Sequence, residues 1–202
     1  MKTKPWEYHA DLAEDRLVEI AKLIVLGRNA AIELQAEDEG DNGWTLGCRA
    51  FQFARHRILT AAANGTLPFL GIIDPSLGLV FTIGQVPVRI YRGDADDPTD
   101  RTLRQSNTEL HQLGFIFDDL DDASELAYRF AIETDFDGSV LSVHFVGLRG
   151  KVAELNWRVP LDEEDGVVGG IGSPADEAVD IPAPLVSIPA HKKQAGTDSK
   201  KQ

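Results

Sequence analysis

The sequence predicts an α+β domain whose helices pack on one side of a mostly antiparallel sheet. Three observations support this fold class. Helical periodicity dominates the first third of the chain, and strict apolar-polar alternation marks residues 128–161. The elements between them do not alternate as βαβ units, which argues against a doubly wound parallel fold. We therefore expect two N-terminal helices, a short third helix and a C-terminal three-strand meander.

The first two helices are indicated by apolar residues that recur every three or four positions. In the first, from about residue 8 to 34, Gly27 marks a point where we expect the helix to bend or break. The second is predicted from about 45 to 63, and Asn64 and Gly65 end it because both tolerate positive φ. The stripe of the first helix consists of Leu17, Ile20, Ile24 and Ala31.

The middle of the chain is richer in β-branched residues and turn signals. Two or three short strands are expected here, and Pro87 assigns its segment to a sheet edge or a bulge. A short third helix is predicted at 102–113, and residues 115–117 favour one more short strand. The candidate strands are 69–73, 77–83 and 86–91.

The clearest strand pattern comes last. Apolar residues occupy every second position of 128–134, and Asp137-Gly138 is a strong hairpin signal. A second strand follows at 140–148 and a third around 155–161, so a meander with one apolar and one polar face is predicted.

The domain organisation follows from where the periodicity stops. Residues 1–161 are expected to form a single α+β domain, which is large enough to bury its own core. Residues 162–202 combine acidic residues with glycine and proline, a composition typical of a disordered tail.

Composition narrows the class of protein. The chain has 202 residues, 33 acidic and 20 basic, which gives a net charge of −13, and its only cysteine is Cys48. A lone thiol and the absence of a signal peptide or membrane-spanning run favour a cytoplasmic location without membrane contact. The acidity also disfavours nucleic-acid binding, because phosphate backbones are repelled.

No motif in the sequence indicates a cofactor. The phosphate-binding, nucleotide-binding and nucleophile-elbow patterns are missing, and the five histidines do not have metal-ligand spacing. The acidic run 94–100 fails the EF-hand pattern. We therefore expect no cofactor and no metal site.

The polar face of the meander holds the candidate site residues. Their mixture of charges, an amide and a histidine suits either a binding surface with acid-base capacity or cross-strand ion pairs on a solvated sheet. The register decides which side chains share that face. The candidates are Arg129, Glu133, His144, Glu154, Asn156 and Arg158.

A second basic cluster lies on the second helix. Arg49, Arg55, His56 and Arg57 are expected to pair with an acidic loop of the same chain rather than with DNA. The candidate loops are 37–41, 94–100 and 118–122.

Two functions remain open on these grounds. The first is a binding or regulatory module that engages a protein partner, in one version a basic one, through an acidic surface and the sheet face. The alternative is a small metal-dependent hydrolase or nuclease-like enzyme that uses clustered carboxylates. Its candidate residues are Glu133, Asp135, His144 and Glu154.

Overall fold

The structure, a computed structural model, describes residues 3–99, 126–150, 152–162 and 164–167. Two helices, α1 (Glu14–Glu33) and α2 (Gly43–Ala63), precede six strands. The strands are β1 (Leu70–Asp74), β2 (Val80–Ile83), β3 (Val86–Arg92), β4 (Ala127–Thr134), β5 (Val140–Arg149) and β6 (Val152–Arg158). The predicted α+β class is confirmed.

The six strands form one sheet in the order β1-β2-β3-β4-β5-β6. Four neighbouring pairs are antiparallel, whereas β3 and β4 run parallel, so the sheet is mixed. The predicted meander exists as β4-β5-β6, but it is half of this sheet and not a separate unit. Hairpin turns join its strands, and Gly138 takes the left-handed conformation (φ 94°) that the Asp-Gly turn requires.

The predicted short third helix is not found among the described residues. They contain only two single 3-10 turns besides α1 and α2, at Pro5–Glu7 and Glu37–Glu39. The segments predicted as a helix at 102–113 and a strand at 115–117 lie outside the described residues.

The core lies between the helices and one face of the sheet. The alternating residues Tyr128 and Phe130 of β4 pack against Phe145 of β5. Their ring centroids lie 5.7 Å and 5.0 Å from that of Phe145. Trp157 lies against the same core and meets the Trp6 ring edge-on at 5.4 Å. The predicted apolar face of the meander is therefore confirmed.

Gly27 does not break α1, which was one of the two outcomes predicted for this residue. The helix runs without interruption from Glu14 to Glu33, and α2 approaches it closely at Gly27. A Cβ on Gly27 would lie 2.5 Å from the Ala54 backbone nitrogen and 2.8 Å from its Cα. The glycine therefore permits helix-helix contact at the backbone level.

The chain continues to pack after β6 ends. Val167 is buried in the main core, and Lys22 of α1 forms an ion pair with Asp165 (Nζ–Oδ1, 3.0 Å). Folded structure thus extends past residue 161 to at least 167. The rest of the predicted tail lies outside the described residues.

In the part of the chain that the structure describes, neither helix has the length and apolar character needed to cross a bilayer.

Candidate functional site

The sheet face opposite the helices, here called the outer face, carries most of the predicted site residues. Strand register places Arg129, Ala131 and Glu133 of β4 on it, beside His144 of β5. The β5–β6 register adds Arg158, the partner of His144, and Asn156, the partner of Val146. Five of the six candidates therefore share this face.

The middle of the outer face is not the solvated polar surface that the sequence predicts. Arg129 is only 1% exposed and lies opposite Val146, a member of a second buried apolar cluster. The Arg129 guanidinium donates to the Tyr128 carbonyl oxygen at 2.8 Å. This cluster consists of Ala95, Ala127, Ala131, Val146 and Leu148. The solvated cross-strand ion pairs predicted from the sequence can therefore form only at the margin of the outer face.

A chain of hydrogen bonds, here called the polar relay, crosses that margin. Asn156 Nδ2 donates to Asp96 Oδ1 (2.7 Å), and Asn156 Oδ1 lies 2.6 Å from His144 Nδ1. His144 Nε2 lies 3.2 Å from Ser142 Oγ, which donates to Glu133 Oε2 at 2.6 Å. Ser142 was not among the predicted residues, although its position two residues before His144 on one strand places it on the same face.

Donor and acceptor chemistry constrains the His144 ring. Because Asn156 uses its amide N–H on a carboxylate, its oxygen accepts from His144 Nδ1. Because Ser142 uses its only proton on Glu133, its contact with His144 Nε2 is satisfied when that nitrogen also donates. His144 Nε2 also lies 3.6 Å from Glu133 Oε2, so the ring is held between the Asn156 amide and this carboxylate.

Two adjacent residues of the loop after β3, Ala95 and Asp96, contact the relay. The Ala95 N–H donates to Glu133 Oε1 (3.2 Å), and Asp94 Oδ1 accepts from the N–H groups of Asp96 and Asp97. Burial, and then the nearby Asp94, raise the pKa of Tyr91 to about 12. The exposed carboxylates of this loop therefore present their charge at a defined place beside the sheet.

Two candidates differ in their surroundings. Arg158 is exposed at the end of β6. Glu154 lies at the irregular step of the β5–β6 pairing and forms an ion pair with Arg149 (Oε1–Nε, 2.6 Å). The relay thus unites Glu133, His144 and Asn156, whereas Glu154 is committed elsewhere.

Of the four residues of the metal-dependent alternative, only Glu133 and His144 lie together. Asp135 lies in the β4–β5 turn, where its carboxylate accepts the Phe136 N–H, and Glu154 pairs with Arg149. Residues 3–99, 126–150, 152–162 and 164–167 contain no group of three or more His, Cys, Asp or Glu side chains placed to hold a metal ion. The metal-dependent alternative thus finds no support in this part of the chain.

The sequence did not indicate a second feature, here called the tip cleft, where the β4–β5 turn faces the start of α2. It is a cavity of about 360 Å³ that has Phe136, 99% exposed, at its edge. Other lining residues are Gln35, Glu37, Asp41, Asn42, Gly43, Leu46, Arg92, Asp135, Asp137 and Gly138. Four of these are carboxylates from two distant segments, so only the folded chain assembles an acidic rim.

The basic cluster of α2 is largely used inside the molecule. Arg49 pairs with Asp41 (Nη2–Oδ2, 3.0 Å), as predicted, and its Nη1 donates to the Leu34 carbonyl oxygen. Arg55 donates to the carbonyl oxygens of Pro75 and Ser76. Among the described residues, the exposed Lys and Arg side chains are Lys4, Arg92 and Arg158.

Comparison with known proteins gives no relative: no family model matches the chain, and no curated protein or solved structure is significantly similar to it.

Proposed function

We propose that the protein is a binding or regulatory module that holds a basic protein partner through its acidic surface and the margin of its outer face. The observation that supports this proposal is that basic side chains are mostly engaged within the chain, whereas many carboxylates are exposed. Most described basic side chains are at least partly buried, and several form ion pairs or donate to backbone carbonyls. The carboxylates of the 37–39 turn and of the 94–97 loop stay exposed.

The acidic rim of the tip cleft adds an apolar anchor to that charge. Phe136 extends from the β4–β5 turn between the exposed Asp135 and Asp137, and the turn Glu37–Glu39 begins on the same cleft. Interfaces gain affinity mainly from buried aromatic anchors, while surrounding charges set the partner and the association rate. An exposed phenylalanine among carboxylates therefore suits a partner with basic and apolar residues side by side.

The proposal is tested by affinity capture from source-cell lysate at low and high salt. We expect a basic protein that elutes as ionic strength rises, because screening weakens exposed charge pairs. The test variant replaces the acidic turn, as E37Q/D38N/E39Q, and should lose the partner. The control, E14Q/E19Q/E33Q, removes equal charge from the exposed side of α1. Equal loss in both variants, or no specific partner, would contradict the proposal.

The outer-face part of the proposal has its own variants. Arg158→Gln alters an exposed side chain at the margin, so its effect on capture reports on contact there, whereas Asn156→Ala also releases the acidic loop that holds Asp96. Phe136→Ser removes the anchor at the tip cleft. If only Phe136→Ser weakens capture, the partner occupies the cleft and the outer face is not part of the interface.

A further inference from the structure

Arg28 of α1 is a buried charged group whose hydrogen bonding is incomplete. It is 4% exposed, its Nε donates to the Gly138 carbonyl oxygen, and its Nη2 has no hydrogen-bond partner among the described residues. No carboxylate in the described residues forms an ion pair with it. A buried cation without a counterion is costly, so its presence requires an explanation.

The guanidinium lies directly behind the wall of the tip cleft. A Cβ on Gly138 would be 3.1 Å from Arg28 Nη2 and 2.5 Å from the Leu46 side chain, and both Gly138 and Leu46 line the cleft. Gly138 has φ +94°, which disfavours any other residue, so this thin wall is maintained by the backbone.

A second cation faces the same cleft. Arg92, exposed at the end of β3, lines it, and its Nη1 lies 4.0 Å from the Cβ position of Gly47 in α2. Burial, and then repulsion by Arg92, lower the pKa of Arg28 to about 10, and Asp137 offsets this only in part. The two arginines therefore repel each other, and Asp137 is the carboxylate that partly balances Arg28.

The carboxylates that line the cleft are already engaged. Asp41 pairs with Arg49, Asp137 accepts from Ser139, and Asp135 accepts from the Phe136 N–H. Asn42 caps the first turn of α2 by accepting from two N–H groups, which leaves the exposed Gly43 and the positive end of the helix dipole at the cleft. The lining of the cleft thus combines four carboxylates with one arginine and the start of α2.

We infer that the tip cleft binds the free carboxylate of a ligand that also carries a positive charge, such as a basic amino acid or the C-terminal residue of a basic peptide. Arg92 and the start of α2 contact the carboxylate, and Arg28 stabilises it from behind the wall. The ligand's cation faces the carboxylates that also line the cleft, which would repel a simple anion. A volume of about 360 Å³ is within the range of small-molecule sites.

This inference goes beyond the proposed function and is tested with defined probes. L-Arginine, acetate, L-argininamide and the peptide Gly-Gly-Arg, free and amidated, are titrated into the full chain while amide shifts of Gly43, Leu46 and Gly138 are followed. We expect L-arginine to shift these amides, acetate to shift them at higher concentration, and each amidated probe to bind about tenfold more weakly. If Gly-Gly-Arg binds more tightly than L-arginine, the natural ligand is the C-terminus of a peptide. If Gly-Gly-Arg binds more weakly, the natural ligand is a free amino acid.

Two arginine variants complete the test. Arg92→Gln alters an exposed side chain and should weaken L-arginine about tenfold, while the matched control Arg158→Gln should not. Arg28→Met should weaken L-arginine binding as well. If Arg28→Met does not fold, the result for Arg92→Gln alone decides the test. Equal binding of L-arginine and L-argininamide, or no response of the three amides to any carboxylate, would overturn the inference. Salt-sensitive capture of a basic protein would survive that result, so the two proposals fail separately.

Discussion

The contact between α1 and α2 at Gly27 gives the sharpest stability prediction, for Gly27→Ala. In an open helix this change stabilises by about 1 kcal/mol, because alanine loses less conformational entropy. Here the new methyl would lie 2.5 Å from the Ala54 nitrogen, about 0.9 Å inside the 3.4 Å at which ordinary contact begins. Its neighbours are backbone atoms, so α2 itself would have to move, and overpacking of this kind costs about 3 kcal/mol.

We therefore expect Gly27→Ala to lower the free energy of unfolding by about 2 kcal/mol. The midpoint of thermal unfolding should fall by about 4–8 °C in a domain of this size. Urea unfolding followed by circular dichroism and calorimetry measures both quantities.

The matched control is Gly47→Ala in the interior of α2, where the nearest atom would be Arg92 Nη1 at 4.0 Å. That variant should gain stability, up to about 1 kcal/mol. If both alanines stabilise the protein equally, the two helices do not approach at Gly27 as described.

Three further predictions concern other parts of the fold. Asp11→Asn should lower the free energy of unfolding by about 1 kcal/mol at pH 7, because the Gln85 backbone N–H holds the pKa of that carboxyl below 3.8. The difference in stability from the wild type should vanish as pH falls through the lowered pKa. Burial raises the pKa of Tyr91 to about 12, so stability should decline as pH rises from about 10 to 12, when the unfolded chain ionises first; ultraviolet titration should show a tyrosinate that appears late. Asn156→Ala should cost about 1 kcal/mol and speed amide exchange in 93–97, and unchanged exchange would show that the polar relay does not hold that loop.

The helices were predictable because their pattern is local. Apolar spacing located both, but the predicted start of α1 at about residue 8 was wrong, because the helix begins at Glu14. Glu14 and Asp15 lie in its first turn, where acidic side chains are favoured. The role of Gly27 was not predictable, because a helix-breaking residue and a close-packing residue look alike until the neighbouring helix is placed.

On the outer face the strand pattern was predicted correctly, but the solvent exposure of its side chains was not. Arg129 and Glu133 alternate with apolar residues as on a solvated sheet, yet Arg129 is buried. The sequence did contain a signal: Ala131, Val146 and Leu148 occupy outward positions, where a solvated face would carry polar side chains. When a sheet carries apolar side chains on both faces, burial of those side chains requires packing against both faces.

The parallel pairing of β3 with β4 and the tip cleft depend on contacts between distant segments. Residues 35–46, Arg92 and 135–138 meet only after the sheet forms, so no local spacing indicates the cleft. The relay is an intermediate case, because register placed Glu133 and His144 together but not Asp96, which reaches Asn156 from a loop.

Arg28 allows a final distinction between a structural cation and a binding one. Were an ion pair to compensate Arg28, replacement by methionine would cost about 3–5 kcal/mol. No such pair exists among the described residues, so Arg28→Met removes a costly buried charge and loses one hydrogen bond, to the Gly138 carbonyl oxygen. We expect its thermal midpoint to stay level or rise while carboxylate binding weakens, the pattern of a residue kept for function at the expense of stability. Arg149→Met, which breaks the ion pair with Glu154, should lower the midpoint. A large loss of stability in Arg28→Met would show instead that its charge is already balanced within the fold.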